Sequence, residues 1–170
     1  MIRRLLARLS GTAEVPSDFQ GNLDAEEQVL ASGRTEDGPV VATHLGLWLP
    51  EARRVGWHLV SKATWRDGVL TLTEAAEIDD VGGAVLLRDQ PIRRLRLTRP
   101  ARLPDVVHER VNLSIRSRHH RDLPNGGAWV VQRKIPGRDG MTLQIRPDRD
   151  TSDAAARALA QAVVSRLGGE

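Results

Sequence analysis

Residues 40–77, VVATHLGLWLPEARRVGWHLVSKATWRDGVLTLTEAAE, decide the fold class that the sequence predicts. Segment 40–49 alternates between two faces, as a half-buried strand does. One predicted face carries Val41, Thr43, Leu45, Leu47 and Leu49, and the other carries Val40, Ala42, His44, Gly46 and Trp48. Pro50 ends this strand, because proline cannot donate to a ladder.

Short strands follow one another over residues 28–98. We predict strands at 28–35, 40–49, 54–59, 61–65, 69–74, 84–88 and 92–98, separated by turns that contain glycine or proline. Strands 61–65 and 69–74 are expected to pair across Arg66-Asp67-Gly68 through a type I turn with a glycine bulge. Strands 84–88 and 92–98 are expected to pair with each other. Seven short strands at this spacing predict an antiparallel barrel or sandwich.

The sequence changes character after residue 98. Leu103-Pro104-Asp105 is typical of a helix start, and we predict a helix to about Ser114, although residues 111–115 also alternate as a strand would. Strands at 128–135 and 141–146 are predicted to form a hairpin. A terminal helix at 153–167 follows the caps Asp150-Thr151-Ser152 and ends at Gly168, with Leu159, Val163 and Leu167 along its buried face.

The predicted class is therefore α+β, mainly β. Residues 1–24 form a lead-in, residues 25–118 form a barrel with a capping helix, and residues 119–170 form a basic extension of a β-hairpin and a helix that packs on the barrel. The tryptophans Trp48, Trp57 and Trp65 are expected in the barrel core. Trp48 shares the less apolar strand face, so we also consider it a candidate partner contact.

The central motifs resemble those of bacterial pleckstrin-homology-like domains. The likeness covers about residues 25–118 and rests on three segments: Gly38-Pro39-Val40-Val41-Ala42-Thr43 with Leu45 and Leu47, Arg53-Arg54-Val55-Gly56-Trp57, and Trp65-Arg66-Asp67-Gly68-Val69-Leu70. It implies a seven-stranded barrel closed by one helix, and a binding or scaffolding module without chemistry of its own. Eukaryotic relatives that bind phosphoinositides carry basic residues between their first two strands. The corresponding loop here, Glu36-Asp37-Gly38, is acidic, so the resemblance implies no such ligand.

Composition is that of an ordinary globular protein. The chain has 170 residues, of which 40% are hydrophobic and 28% charged, and it has no cysteine, which excludes a disulfide scaffold and a thiolate zinc site. No stretch approaches the ~20 apolar residues that span a bilayer. The start MIRRLLARLSGT is too short and interrupted for a signal peptide. We expect a cytoplasmic protein, and the short amphipathic turn of Leu5, Leu6 and Leu9 leaves peripheral contact with the inner membrane face open.

Charge is unevenly distributed. Residues 1–90 carry 9 basic and 14 acidic side chains, net −5, and residues 91–170 carry 16 basic and 8 acidic ones, net +8. The candidate anion or partner surface consists of Arg94, Arg96, Arg99, Arg116, Arg118, Arg121, Arg133 and Lys134. On one common face these side chains would suit a phosphate backbone or acidic headgroups. The alternative is that they are solvated, or paired with the acidic half of the chain.

The sequence offers little for catalysis or metal binding. Adjacent His119 and His120 cannot share one face of a strand or helix, so with His108 they predict surface histidines and not a metal site. No Gly-x-Ser-x-Gly elbow marks a nucleophile, and the paired glycines precede strands and not helices. We expect no enzymatic activity, no cofactor and no metal.

The sequence thus predicts a non-enzymatic binding or scaffolding protein for a protein partner or an anionic surface. A protein partner is the first expectation, anionic lipid or nucleic acid the second, and homo-oligomerisation stays open. The alternative function is a nucleic-acid-binding protein that uses the arginine-rich C-terminal half. Against it, aromatic side chains that stack on bases are scarce: the chain has no Tyr and one Phe, and most tryptophans lie in the acidic half.

Overall fold

The computed structural model describes residues 13–168, which form eleven strands and two α-helices. The protein is mainly β, as the sequence predicts. None of the helices in the described part is long and apolar enough to cross a membrane. The amphipathic turn predicted around Leu5, Leu6 and Leu9 lies outside the described residues. The strands are β1 (Val29–Thr35), β2 (Gly38–Thr43), β3 (Gly46–Trp48), β4 (Arg54–Gly56), β5 (Val60–Arg66), β6 (Val69–Val81), β7 (Ala84–Asp89), β8 (Arg93–Arg96), β9 (Ile115–Leu123), β10 (Gly126–Lys134) and β11 (Met141–Pro147), and the helices are α1 (Leu103–Ser114) and α2 (Asp153–Leu167).

The strands form two sheets. Strands β1 to β4 make a sequential antiparallel sheet, and the second sheet has the order β5-β6-β7-β11-β10-β9, with β8 also paired to β6. The second sheet is antiparallel except where β7 and β11 run parallel, and it curls into half a barrel. A single 3-10 turn, Trp57–Leu59, joins β4 to β5.

The long strand β6 connects the barrel to the extension. Its first half pairs with β5 on one edge and β8 on the other, and its second half pairs with β7. Leu70 and Leu72 lie in the barrel core, and Val81 packs against the core of the extension. Strand β6 thus contributes side chains to both apolar cores. Strand β9 crosses the division expected at residue 118 without a break.

Three apolar clusters hold these layers together. The barrel core is closed at one end by α1, which buries Leu103, Val106, Val107 and Val111 against both sheets. In the second cluster, Ala156 and Ala160 of α2 pack on β7, β10 and β11. The third joins Trp48 to Phe19 and Leu23 of the lead-in. Full burial of a large aliphatic side chain contributes about 1.5–3 kcal/mol, so the barrel core dominates stability.

The strand predicted over residues 40–49 is a hairpin, and that prediction was wrong. Thr43 Oγ1 accepts hydrogen bonds from the N–H groups of Leu45 at 3.1 Å and Gly46 at 3.3 Å, which reverses the chain. Trp48 therefore pairs with Val41 and shares its face. A local bond from side chain to backbone has replaced the ladder that the alternation indicated.

The β5–β6 hairpin is confirmed, but its turn differs from the prediction. Arg66 pairs with Val69, and the two loop residues Asp67 and Gly68 have φ of 51° and 77°. Two positive φ values in a two-residue loop match a type I′ turn, whose twist suits the strands better than the predicted type I turn with a bulge. Trp65, beside this turn, is 40% exposed, so its predicted core position was wrong.

Strands β7 and β8 were expected to pair with each other, but both pair with β6. The chain passes Pro91 without reversing, and the Gln90 N–H donates to the carbonyl of Glu74 in β6 at 2.7 Å. The two strands thus lie end to end along β6, with an interruption where proline has no N–H to donate. This arrangement creates the wall of the groove described below.

The helices agree closely with prediction. Helix α1 ends at Ser114, and strand β9 begins at the next residue. The helical pattern therefore describes the residues up to 114, and the alternating pattern describes those that follow. Helix α2 has the predicted bounds, and Ser152 Oγ caps it by accepting from the Ala155 N–H at 3.1 Å. Its buried face was predicted incorrectly at one position, because Leu167 is 58% exposed beyond the end of the sheet.

Candidate anion-binding groove

The register of β9, β10 and β11 distributes the basic side chains over two opposite faces. Trp129 lies between His120 and Arg146, and Val131 pairs with Arg118. Cross-strand partners share a face, so these residues lie on one side of the sheet, which we call the Trp129 face. On the other side, the helix face, α2 packs on Ala128, which pairs with Arg121.

The eight basic residues of the candidate anion or partner surface are therefore spread over the molecule. Arg118 lies on the Trp129 face, and Arg121 and Lys134 lie on the helix face. Arg94 and Arg96 extend from β8 and Arg99 follows it, while Arg116 sits at the bulge in β9. Arg133 is only 3% exposed. Its predicted place on an accessible surface was wrong.

A groove of about 910 Å³ runs between the β7–β8 segment and the ends of β10 and β11. Its lining includes Trp129 and four arginines, against two aspartates. The lining residues are Thr73, Arg88, Asp89, Gln90, Pro91, Ile92, Arg94, Trp129, Arg146, Pro147, Asp148 and Arg149. Ile92 is 54% exposed at the rim. We call this the Trp129 groove.

Both aspartates in the groove already have partners. Asp148 Oδ2 lies 2.8 Å from His120 Nε2, and Asp89 accepts a hydrogen bond from the Ser61 hydroxyl. Neither carboxylate is bonded to an arginine of the groove.

The arginines of the groove differ in the hydrogen bonds and ion pairs that they make. Arg88 donates to Asp153 Oδ1 at 2.8 and 2.9 Å and anchors α2. Arg146 reaches only the carbonyl of Ser61, at 3.4 Å. Within residues 13–168, Arg94 and Arg149 make no side-chain hydrogen bond or ion pair. Three guanidinium groups of the groove thus have no carboxylate partner within residues 13–168, and such groups bind carboxylates and phosphates well.

Trp129 is one of the groove residues that the sequence did not predict. The Arg118 guanidinium lies 5.2 Å from its ring centroid, and the His120 ring packs against it edge to face at 5.0 Å. The available signal was position, because Trp129 is the single tryptophan of the basic half and alternates in phase with Val131 and Arg133. The low aromatic content of the chain as a whole gave no indication of this residue.

Arg133 crosses the junction between extension and barrel. Its guanidinium donates to Val60 O at 2.6 Å, to Trp57 O at 2.7 Å, and to Ser114 Oγ from two nitrogens at 2.6 and 3.1 Å. No carboxylate pairs with it within the described residues. Burial, and after it the nearby Arg146, lowers the pKa of Arg133 to about 10.

His58 adds a second buried polar group at the junction. Burial, followed by the charges of Arg133 and Arg138, lowers the pKa of His58 to about 4. Its Nδ1 is buried without a hydrogen-bond partner among the described residues. Its main-chain oxygen accepts from Gln144 Nε2 of β11 at 2.8 Å. The junction therefore carries strong positive potential and a neutral imidazole near pH 7.

Trp48 does not present a free surface for a partner, which corrects that prediction. It is 7% exposed, and Phe19 of the lead-in packs edge to face on its ring at 5.4 Å. Its Nε1 donates to Glu27 Oε1 at 2.9 Å, and Arg54 lies over the ring. Residues 13–28 of the same chain occupy the position where we considered a partner.

His108 and His120 are used in separate local contacts. His108 lies 3.1 Å from Asn112 Nδ2 on α1, and His120 contacts Asp148. Over residues 13–168, no group of three metal-ligating side chains converges. On strand β6, a hydrogen bond from Arg157 holds the pKa of Asp79 below its usual value.

No family model, no curated protein and no solved structure matches the chain.

Proposed function

We propose that this protein is a non-catalytic binding module whose basic extension holds an acidic partner protein in the Trp129 groove. One observation carries the proposal: Arg94, Arg146 and Arg149 line a single concavity beside Trp129, and within residues 13–168 none of them is ion-paired with a carboxylate. Such a concentration of one sign attracts anionic groups and steers their approach.

A pleckstrin-homology-like barrel is part of the proposal. Strands β1 to β4, then β5, β6 and β8, and finally the closing helix α1 give two antiparallel sheets and one capping helix. This order supports the resemblance of residues 25–118. Strand β7 with β9 to β11 and α2 is then an elaboration that supplies the groove. A cytoplasmic location belongs to the same proposal.

The apolar part of the groove favours a protein over other polyanions. Pro91 and the exposed Ile92 form one rim, and Trp129 lies in the floor. Aromatic and arginine side chains at the centre with an apolar contact are typical of protein interfaces. The partner segment would supply Asp or Glu side chains to the arginines and an apolar residue to Ile92.

Nucleic acid is the second candidate, and Trp129 beside free arginines is the observation that favours it. Base stacking needs an open aromatic face. Arg118 and His120 already cover part of the Trp129 ring, so it offers a smaller platform than sites for single strands. We therefore rank nucleic acid below an acidic protein segment.

Binding measurements on matched variants test the proposal. The full chain is titrated into a fluorescent glutamate-rich peptide containing leucine, mixed single-stranded oligonucleotides, and phosphatidylserine vesicles, at salt from about 50 to 300 mM. The groove variant combines Arg94→Gln and Arg149→Gln. Its control combines Arg121→Gln and Lys134→Gln on the helix face, which removes the same charge.

We expect the peptide to bind best, the groove variant to lose affinity about tenfold or more, and the control to lose much less. Equal losses in both variants would mean that net charge alone attracts the ligand, and would overturn the groove assignment. Tighter binding of oligonucleotides or vesicles than of the peptide would replace the acidic protein with that polyanion. Absence of binding at low salt would refute the proposal.

A further inference from the structure

A small polar cavity lies between the Trp129 face and the barrel, next to the groove. Its volume is about 20 Å³, and Arg118, Arg133, Arg146, Gln144 and Ser61 line it, together with the apolar residues Leu87, Ile115 and Val131. Arg146 lines both this cavity and the Trp129 groove. Of the three arginines, Arg133 is buried, Arg146 is half-buried and Arg118 is exposed. The buried charge of Arg133 beside Arg146 is costly without an anion, because like charges repel and burial removes water.

The free-energy cost of burying a positive charge is largest at Arg133. A guanidinium has five N–H donors, and Arg133 uses four of them on neutral acceptors, namely two main-chain oxygens and the Ser114 hydroxyl. One N–H on Nη1 remains. Its buried charge has no carboxylate partner within residues 13–168, although buried charges in proteins are normally paired.

We propose that Arg118, Arg133 and Arg146, with Gln144 and Ser61, form a binding site for a phosphate-type oxoanion at the junction of barrel and extension. A cavity of about 20 Å³ admits one atom of water size. One phosphate oxygen therefore enters the cavity, and the other oxygens remain at its mouth beside Arg118 and Arg146. Phosphate carries a charge of about −1.5 to −2 near pH 7, which balances three positive charges better than the single charge of a carboxylate or a halide does.

Water in the cavity is the plain alternative. A water molecule would accept the remaining N–H of Arg133 but would not neutralise the three charges. The site goes beyond the proposed function, since it binds a small anion and not the acidic partner. Because its ligands come from β9, β10, β11 and the start of β5, an anion there would fix the extension against the barrel.

Thermal unfolding of the full chain tests the site. Sodium phosphate replaces sodium chloride at constant ionic strength and pH 7.5, and a saturating rise in Tm of about 5–10 °C is expected at a hundredfold excess over Kd. Phosphate also stabilises proteins without binding a site, so variants provide the decisive comparison. Arg118→Gln and Arg146→Gln should lose the saturating rise. Arg121→Gln, on the same strand β9 but the opposite face, should keep it.

Three results would overturn the proposal. A rise of equal size in all four proteins would show a general salt effect. Absence of a rise on the exchange of chloride for phosphate would leave only water or a halide in the cavity, and a rise that does not saturate would show that no site is filled. Phosphorus NMR line broadening with inorganic phosphate and with O-phosphoserine separates a free anion from a phosphorylated group. The groove double variant, Arg94→Gln with Arg149→Gln, should retain phosphate binding, so failure of either proposal is seen separately.

Discussion

Nη2 of Arg133, in the extension, lies 2.7 Å from the main-chain oxygen of Trp57 in the barrel and donates a hydrogen bond to it. The contact joins residues 76 positions apart. It makes the extension and the barrel one cooperative structure, because the same side chain also satisfies Val60 O and Ser114 Oγ.

Replacing Arg133 with Met should destabilise the protein by about 3 kcal/mol. The change removes a buried charge, but it leaves two main-chain oxygens and a hydroxyl without a donor, and each such loss costs about 1–3 kcal/mol. Urea unfolding followed by tryptophan fluorescence measures the effect. Arg116→Met, at the exposed bulge of β9, serves as the control and should change stability by less than about 0.5 kcal/mol. Equal stabilities for the two variants would contradict a structural role of Arg133.

Glu27 should stabilise the lead-in in a pH-dependent way. Its carboxylate accepts from the Thr43 hydroxyl at 2.6 Å, from Trp48 Nε1 at 2.9 Å and from Arg54 Nη1 at 2.7 Å. Burial by itself raises the pKa of Glu27, but these bonds and one from the Asp24 N–H outweigh it and lower the pKa below 4.5.

Glu27→Gln should therefore cost about 1–3 kcal/mol near pH 7. A carboxylate with a lowered pKa stabilises the fold above its unfolded pKa, and this contribution disappears as pH falls. The difference between wild type and variant should shrink below about pH 4.5. Chemical unfolding at several pH values measures it, with the exposed Glu26→Gln as control. A difference that is constant with pH would rule out the ionic explanation.

His58 should make the protein less stable in acid. The folded pKa is about 4 and the unfolded value is 6.5, so the unfolded chain binds a proton first. Stability is full above pH 6.5 and falls as pH drops toward 4. This pKa difference corresponds to roughly 3 kcal/mol, which solvent screening of the partly exposed ring reduces to about 1–2 kcal/mol.

The test compares wild type with His58→Gln, which cannot take up the proton. The variant should show a flatter stability profile between pH 6.5 and 4, measured by urea unfolding. The exposed His119→Gln should keep the wild-type slope. If His58→Gln keeps that slope as well, another group is responsible.

Ala160 should tolerate no larger side chain. It is fully buried where α2 packs against the sheet. Ala160→Leu inserts three carbon atoms into this contact and should cost about 1–3 kcal/mol. Ala158→Leu, on the exposed side of the same helix, should be nearly neutral, which separates packing from helix propensity. Thermal unfolding followed by circular dichroism at 222 nm compares them, and equal Tm values would contradict the packing of α2 described above.

Only part of the candidate groove was predictable. Arg94 was among the predicted residues, whereas Trp129 and Arg149 were not. Their convergence depends on the parallel pairing of β7 with β11, which brings residues 84–86 beside residues 143–145. No local signal reports such a pairing, since it joins strands almost sixty residues apart in the chain.

The sequence by itself determined what depends on neighbouring residues. Ser152 and Gly168 set the ends of α2, Pro104 and Asp105 mark the start of α1, and Asp67-Gly68 makes the β5–β6 turn, because caps and turns act over three or four residues. Tertiary structure alone decided the burial of Arg133, the covering of Trp48 by the lead-in, and the division of the arginines between two sheet faces. Those outcomes follow from long-range pairing and packing, in which the environment of a side chain is set by residues far away in the chain.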